Sequence, residues 1–465
     1  MQRENLHLQI DRQIIGDIFT SRAPMDNLEV LCDDLGARFA GTPQERQAAE
    51  FIATTCKKYG LENIRLEAYP YAGWSRGEAR LEILEPSGRV LPCISLPYCP
   101  AADISAELLF AGYGSPDEYA ALAGKMQGRL VLAGSASPPD LGRWVHRKEK
   151  YERAVLGGAA GFVFVSEHPG VGPETGSLQN DRPGPIPGIS ISKEDGEFLQ
   201  RLSRRKGPLK LRLHTSDINE KRESWNVVAE LPGSSAAAEM VILGCHYDGH
   251  DISQGAVDPA SGMVLVMEAA RVLALYAAAH LECTVRFVAF GTEEIGLVGA
   301  HRYVEAHADE LDRVRFMYNL DSAGGPSRKG VVLHCWPELE SFFTQAAREM
   351  VAEVPVGQKV HPHSDHFPFF LKGVPSGHMS DPEAGPKGRG FGHTAYDTLD
   401  KVELENLRRG SATAARLVLR LANAPDFPAR RRSCEAVRAI LDTDPDMEAY
   451  RVAQALAQQG ARSDR

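Results

Sequence analysis

The chain has 465 residues, of which 43% are hydrophobic and 25% are charged, as in ordinary globular proteins. This length predicts two or three domains. The net charge of −10 argues against a nucleic-acid partner, because no basic stripe is interleaved with aromatic residues. The first residues contain no apolar segment of the signal-peptide type, and no window approaches the length of a membrane span. We therefore expect a cytoplasmic protein without a membrane partner.

Eight cysteines are scattered along the chain without a Cys-x-x-Cys pair. This distribution favours reduced, mostly buried thiols over a disulfide framework. It also argues against a zinc site made of thiolates.

Residues 26–60 are predicted to form two helices. The sequence from Thr42 to Glu45 is that of a capping box with proline at the first helical position, and Gly60 is expected to end this helix. No strong strand pattern precedes the helix, so it must pack on a sheet that comes later in the chain. We assign residues 1–75 to the N-terminal part of a larger α/β domain.

From about residue 76 the pattern changes to short β-type runs, such as ARLEIL and GFVFVS, separated by stretches rich in glycine and proline. Helical patterns interrupt these runs only near 144–156 and 193–202. We therefore predict that residues 76–219 form a separate, mostly β domain inserted into the first.

Residues 220–425 alternate between apolar strands and helical runs at 261–279, 296–308 and 337–351. This order predicts an α/β fold with a mixed, mostly parallel sheet covered by helices on both faces. A segment beginning at Asp400 is expected to cap a last long helix that ends near residue 422. Residues 426–465 form a tail with two amphipathic helical patterns, which could pack on the body or on a second subunit.

Two of the predicted strands end in potential metal ligands. The apolar run 240–244 is followed by His246 and Asp248, and the run 284–290 is followed by Glu293 and Glu294. In open α/β sheets, functional sites are built at the edge where such strands end. These four side chains are therefore candidates for one site.

Three further candidates are Asp258, Asp321 and His393, in a turn before an apolar helix, at a strand end and after a glycine-rich loop. Histidine and carboxylate ligands suit zinc, and a two-metal site needs a carboxylate that can bridge both ions. Two Zn²⁺ ions would be balanced by three carboxylates and one hydroxide. The site would then be close to neutral, which avoids the cost of burying uncompensated carboxylates.

Neighbouring acidic residues could serve the chemistry without binding metal. Hydrolysis needs a base that takes a proton from the attacking water and gives it to the leaving amine, and Glu293 is placed for that task. Asp248 and Asp397 follow His246 and His393 by two and four residues, so they are candidates to accept the second ring proton of each histidine. The spacing leaves these contacts open.

Six motifs occur in an order that resembles the co-catalytic zinc aminopeptidases and their relatives, which include bacterial leucyl aminopeptidase and the plasma glutamate carboxypeptidase-like enzymes. The motifs are HYD (246–248), GAVDPASG (255–262), GTEEIGLVGA (291–300), NLD (319–321), SDHFPF (364–369) and HTAYDT (393–398). The segment KYERAVLGGAAGFVFVSEHPG is similar to part of a protease-associated domain, which many members carry as an insertion.

The resemblance implies two zinc ions per chain, with cobalt or manganese as substitutes. One ion would be held by His246 and Asp321 and the other by Glu294 and His393, while Asp258 bridges them. Glu293 would be the general base, acting beside a hydroxide that bridges the metals.

One departure from the family pattern is Pro259, which follows the proposed bridging aspartate. Family members usually have a non-proline residue there, across a cis peptide bond. Proline lowers the cost of the cis form, so we predict a cis Asp258–Pro259 bond.

Four residues near the last motifs are candidates for substrate contacts: Asp365, His366, Tyr396 and Arg389. The leading prediction is a dizinc metallo-exopeptidase acting on peptides, and the EEIGLVGA segment favours an aminopeptidase. A carboxypeptidase or dipeptidase of the same family is the main alternative. A glutaminyl-cyclase-like enzyme with one zinc and a metal-free binding protein are further alternatives, which the full set of ligands argues against. A homodimer is left open.

Overall fold

The computed structural model describes residues 5–86, 88–234, 239–384 and 390–463. The strands in these ranges are β1 (Glu62–Ser75), β2 (Ala79–Glu85), β3 (Arg89–Leu91), β4 (Ile94–Ser95), β5 (Ala102–Phe110), β6 (Leu130–Gly134), β7 (Gly161–Val165), β8 (Gly188–Ile191), β9 (Lys210–Thr215), β10 (Ile218–Leu231), β11 (Met240–His246), β12 (Thr284–Phe290), β13 (Val314–Asn319), β14 (Val331–Leu333), β15 (Val356–Gln358) and β16 (Ser376–Met379). The helices are α1 (Leu8–Thr20), α2 (Ala23–Glu29), α3 (Pro43–Lys58), α4 (Pro116–Ala121), α5 (Arg147–Leu156), α6 (Lys193–Lys206), α7 (Gly262–Tyr276), α8 (Val298–Ala306), α9 (Glu340–Met350), α10 (His366–Leu371), α11 (Leu404–Ala422), α12 (Cys434–Thr443) and α13 (Glu448–Ser463).

The main sheet has the strand order β1-β10-β12-β11-β13-β16-β14-β15. Its centre, β12-β11-β13-β16, and the pair β14-β15 are parallel, whereas β1 with β10, β10 with β12 and β14 with β16 are antiparallel. Helices α1, α2, α3, α7 and α11 contribute to the apolar core on one face, and α8 and α10 contribute to that on the other. The predicted α/β fold with a mixed sheet covered on both faces is confirmed.

A second sheet, with the order β3-β2-β9-β5-β6-β7-β8-β4, is formed by the strands between β1 and β10. Its strands β5 to β8 are parallel and the others are antiparallel. Its apolar core is separate from the core of the main sheet. We call the part of the chain from β2 to β9 the inserted unit. The two helices predicted within it are present as α5 and α6.

The early region contains more structure than the sequence predicted. Helix α1 and the long strand β1 were not predicted. Helix α3 starts as expected, because the hydroxyl of Thr42 accepts a hydrogen bond from the Glu45 N–H at 3.3 Å. The carboxylate of Glu45, however, accepts from the Gly41 N–H at 2.6 Å, one residue before the position in a regular capping box. This helix was expected to pack on a sheet later in the chain, and it packs on strands β1 and β10 of the main sheet.

The predicted cap of the last long helix was wrong. Asp400 lies in a separate turn, Leu399–Lys401, and α11 begins only at Leu404. The carboxylate of Asp400 is bonded to Thr398 and Lys401 instead of to the helix N-terminus.

The C-terminal tail forms the two predicted helices and docks on its own chain. Tyr450 of α13 lies edge-on to Phe367 of α10, with ring centroids 5.8 Å apart. Glu448 forms an ion pair with Arg153 of the inserted unit, at 2.7 Å. We call the domain built on the main sheet the main domain. The tail therefore contacts both the main domain and the inserted unit.

One prediction on membrane spans needs correction. The stretch Ala256–Tyr276 is long and apolar enough to span a membrane by length and composition alone. However, 78% of its apolar window is buried inside the protein. Its apolarity reflects a core helix, α7, whose residues from Gly262 to Ala270 are all buried.

All eight cysteines are free thiols, as expected.

Candidate metal centre

The predicted ligands meet at one edge of the main sheet, where the parallel strands end. His246 is the last residue of β11, Glu294 follows β12, and Asp321 follows β13. Asp258 lies in a helical turn, Ala256–Ser261, that leads directly into α7. A Cβ atom at Gly262 would lie 2.0 Å from the carbonyl oxygen of Leu320, so only glycine lets this turn approach the end of β13.

The side chain of Asp258 lies between two histidines. Its Oδ1 is 3.3 Å from Nε2 of His246, and its Oδ2 is 3.5 Å from Nε2 of His393. Nε2 of His246 is also 3.3 Å from Oδ1 of Asp321, and Nε2 of His393 is 3.2 Å from Oε2 of Glu294. The structure thus brings the five predicted ligands together, with one oxygen of Asp258 directed to each side.

The turn that carries Asp258 is fixed by its surroundings. The Asp258–Pro259 peptide bond is cis, as predicted. Arg38 is completely buried and donates to the carbonyl oxygens of Tyr247 and Gly255 at 3.0 Å each. The guanidinium group therefore ties the segment after β11 to the start of the turn. Sequence analysis did not identify this role of Arg38.

Strained backbone conformations occur at or next to three of the candidate ligands. Thr292, Ser322 and His393 have φ values of 58°, 52° and 63°, in the left-handed region that non-glycine residues rarely adopt. Each is a candidate ligand or lies within two residues of one. Such conformations persist only where the surrounding structure enforces them, and they are frequent at functional sites.

The two carboxylates expected to orient the histidines bond mainly to backbone. Asp248 accepts from the N–H groups of Glu293 and Glu294 at 2.9 and 3.3 Å. Nδ1 of His246 lies 3.0 Å from the Asp248 carbonyl oxygen and 3.6 Å from Oδ1 of its carboxylate, so the expected contact with His246 is present but long. Asp397 accepts from the N–H groups of Val257 and Asp258 at 2.7 and 3.1 Å. Both aspartates therefore hold the segments that carry other candidate residues.

His250 is a member of the site that sequence analysis missed. Its Nε2 is 2.8 Å from Oε2 of Glu294 and 3.2 Å from Nδ1 of His393. His250, Glu294 and His393 are all buried and form one cluster that could hold a metal ion, and His246, Glu293 and Asp321 form a second. The available signal was the position of His250, four residues after His246 in the same motif.

The two adjacent glutamates have opposite electrostatic environments. Burial, together with the neighbouring carboxylate of Glu294, raises the pKa of Glu293 well above its usual value, although His246 opposes this shift. Burial would also raise the pKa of Glu294, but His250 and His393 lower it below its usual range. Neighbouring carboxyl groups with pKa values pushed apart are typical of sites that divide ligand and acid–base tasks.

Of the four predicted substrate-contact residues, two are buried and one is exposed. Asp365 and His366 are fully buried, and neither lines the cavity beside the metal centre. Burial raises the pKa of Asp365 well above its usual value, and its two carboxylate oxygens have no hydrogen-bond partner among the described residues. Tyr396 is 49% exposed. Arg389 lies outside the described residues.

A small cavity of about 40 Å³ lies over the metal centre, between the main domain and the inserted unit. The inserted unit also touches a candidate ligand, because the Thr175 N–H donates to the His393 carbonyl oxygen at 2.8 Å. The cavity is lined by His146, Arg147, Lys148, Ser177 and Asn180 of the inserted unit, and by Glu293, Glu294, Gly296, Leu297, Pro362, His363 and His393 of the main domain.

A mixed sheet with paired histidine and carboxylate clusters at the ends of its parallel strands defines the zinc-exopeptidase fold. Residues 226–418 match the model of peptidase family M28, and residues 94–199 match that of the PA domain. Over these residues the chain is similar to peptidase family M28 and to the PA domain, and it is a metallopeptidase with an inserted PA-like domain.

Individual relatives agree with this assignment. The chain is 27% identical to aminopeptidase YwaD of Bacillus subtilis over 403 residues, which cover 84% of this chain and 82% of that protein. It is 27% identical to carboxypeptidase Q of Homo sapiens over 308 residues, 64% of each chain. The chain therefore spans less than two thirds of that relative's length.

Solved structures share the fold. A peptidase M28 precursor from Shewanella amazonensis superposes with a TM-score of 0.79 at 23% identity, covering 92% of this chain and 99% of that one. A zinc aminopeptidase from Bacillus subtilis gives a TM-score of 0.66 at 23% identity, covering 89% and 96%.

Proposed function

We propose that the chain is an aminopeptidase that holds two zinc ions and releases residues from the amino termini of peptides. The observation that carries the proposal is the position of Asp258, which directs one carboxylate oxygen to each of two histidines. A carboxylate placed in this way is what a two-metal site requires of a bridging ligand.

The donor set fits zinc. The candidate ligands are two imidazoles and three carboxylates, with no thiolate. Such a set suits a borderline divalent ion, and cobalt or manganese could replace zinc in it. We assign His246 and Asp321 to one ion, Glu294 and His393 to the other, and Asp258 to both. Bound zinc would polarise the scissile carbonyl group and lower the pKa of the attacking water.

The protein groups then have separate tasks. Glu293 takes the proton of the attacking water and passes it to the leaving amine. Asp248 fixes the backbone of Glu293 by accepting from its N–H at 2.9 Å. His250 holds Glu294 through Nε2, at 2.8 Å. A ligand anchored in this way keeps its orientation before the metal binds.

The test is a panel of dipeptides and aminoacyl anilides with added zinc, cobalt or manganese, run on the wild type and on Glu293→Ala. We expect the variant to retain its metal content and to lose turnover by about a hundred- to ten-thousand-fold, since only proton transfer is removed. Glu305→Ala, on the exposed face of α8, is the matched control and should behave as wild type. Unchanged turnover in Glu293→Ala would refute the assigned base.

A carboxypeptidase or dipeptidase is a second candidate, favoured by the cations that line the cavity. Arg147 and Lys148 line the same cavity as Glu293, where they could meet the terminal carboxylate of a short peptide. The relatives include carboxypeptidase Q as well as aminopeptidase YwaD. A cytoplasmic location and the choice between monomer and homodimer stay predictions.

A further inference from the structure

Three histidines outside the catalytic centre form a cluster on one face of the main sheet. His378 lies in β16, and His334 directly follows β14, the antiparallel neighbour of β16. Residues 376 and 378 point to the same face, and the His334 N–H donates to the Ser376 carbonyl oxygen at 3.1 Å. His366, the first residue of α10, covers this face. The ring centroids of His334 and His366 are 3.9 Å apart.

The geometry of this cluster is that of a metal site. One ring nitrogen from each histidine lies within 4.8 Å of those of the other two. Nε2 of His334 and Nδ1 of His378 are 3.2 Å apart. Two nitrogens on one tetrahedral zinc ion, each at about 2.1 Å, are separated by about 3.4 Å, so this pair is close to the spacing of two ligands.

Few contacts hold the ring nitrogens of the cluster. His334 and His366 are fully buried, and burial lowers the pKa of both well below the usual value. Both rings are therefore neutral at pH 7 and keep one lone pair each. Nε2 of His366 lies 3.1 Å from the His361 carbonyl oxygen, and its Nδ1 lies 3.4 Å from Nδ2 of Asn319, a long contact that a bound ion would replace. Nδ1 of His334 has no hydrogen-bond partner among the described residues, so of its two ring nitrogens only Nε2, which faces His378, makes a polar contact there.

We propose that His334, His366 and His378 bind a third metal ion, separate from the catalytic pair. Three neutral imidazoles select a divalent transition ion such as zinc, nickel, cobalt or copper over magnesium or calcium. The role of the ion is structural, because it joins β14, β16 and the start of α10.

Hydrogen bonds connect the three-histidine cluster to the catalytic centre. Asn319, paired with His378 across β13 and β16, donates to the hydroxyl of Ser364 at 2.7 Å. Ser364 in turn donates to Oδ2 of Asp321 at 2.7 Å. Since Ser364 precedes His366 by two residues, an ion on His366 would fix the segment that orients a catalytic ligand.

The experiment is a metal count on the full-length chain, stripped with a chelator and reloaded with zinc. We expect His334→Gln and His378→Gln to hold about one zinc fewer per chain than the wild type, whatever number the catalytic centre holds. His168→Gln, a half-buried histidine of the inserted unit, is the control and should show the wild-type count. The difference in count separates this proposal from the proposed function.

Two variants are used because buried His334 could be needed for folding, whereas His378 is half-buried. A loss of one equivalent in a folded variant, verified by circular dichroism, supports the site. An unchanged zinc count in folded His378→Gln overturns it. If both variants unfold, a zinc titration of the stripped wild type decides, and no binding event beyond those lost in His246→Ala would overturn the proposal.

Discussion

Lys148 connects the inserted unit to the chemistry of the cavity. It lines the wall beside Glu293, and its Nζ lies 2.9 Å from Oδ1 of Asn180. A cation at this position can form a charge-assisted hydrogen bond with a carboxylate that enters the cavity, an interaction of about 1.5 kcal/mol. Lys148 can form no comparable interaction with an aminoacyl anilide, because the anilide group carries no carboxylate.

Lys148→Met should therefore raise KM for dipeptides about tenfold and leave KM for aminoacyl anilides unchanged. Steady-state kinetics on both substrate classes checks this, with Lys125→Met, an exposed lysine of the inserted unit, as the control. Equal KM changes for both classes would contradict recognition of a carboxylate.

The candidate ligands could be predicted, because their residue type and their position after strands are local in the sequence. Their hydrogen-bond partners could not. His250 and Arg38 act through contacts with residues far along the chain, such as the 2.8 Å contact of His250 with Glu294. Spacing in the sequence contains no information about such contacts.

At the scale of elements, α1 is joined to α11 through a buried ion pair. Asp11 is 2% exposed and lies 2.8 Å from Nη2 of Arg420 and 3.1 Å from Nε of Arg416. Burial alone would raise the pKa of Asp11, but the hydrogen bonds from the two arginines lower it to about 2. The charged carboxylate is therefore more stable in the folded chain than in the unfolded chain.

The depressed pKa predicts a specific pH dependence. The contribution of Asp11 is present above its ordinary pKa of 3.8 and is lost as the pH falls towards the folded value of about 2. It amounts to about 2 kcal/mol. Asp11→Asn should lower the free energy of unfolding at pH 7 and should show a weaker decrease between about pH 4 and pH 2.

Urea denaturation at a series of pH values measures this difference. Asp442→Asn, an exposed position on α12, is the control and should follow the wild type. Parallel curves for the wild type and Asp11→Asn would show that Asp11 does not contribute in this way.

Element boundaries were predictable only where a local signal controls them. Thr42 and Pro43 start α3 as the sequence indicates, because the capping hydrogen bond is formed within three residues. Asp400 has the same cap-like pattern, yet its carboxylate bonds to Thr398 and Lys401 in a separate turn. Helix α1 was missed because its stability depends on the distant partners of Asp11.

At the scale of the whole molecule, the catalytic centre is completed by parts that are remote in the chain. The inserted unit closes one wall of the cavity, and Thr175 bonds to His393. The tail contacts the inserted unit through Glu448 and Arg153, and it contacts the main domain through Tyr450 and Phe367. Amphipathic patterns predicted the two tail helices, but such patterns show which face is buried and not which partner covers it.

The central claim is that Asp258 bridges two zinc ions. Diffraction data collected at the zinc absorption edge from crystals of the zinc-loaded wild type test it most directly. We expect two anomalous peaks about 3.5 to 4 Å apart, with Asp258 between them. One peak should lie beside His246 and Asp321 and the other beside Glu294 and His393. A single peak at this centre, or two peaks that Asp258 does not join, would contradict it.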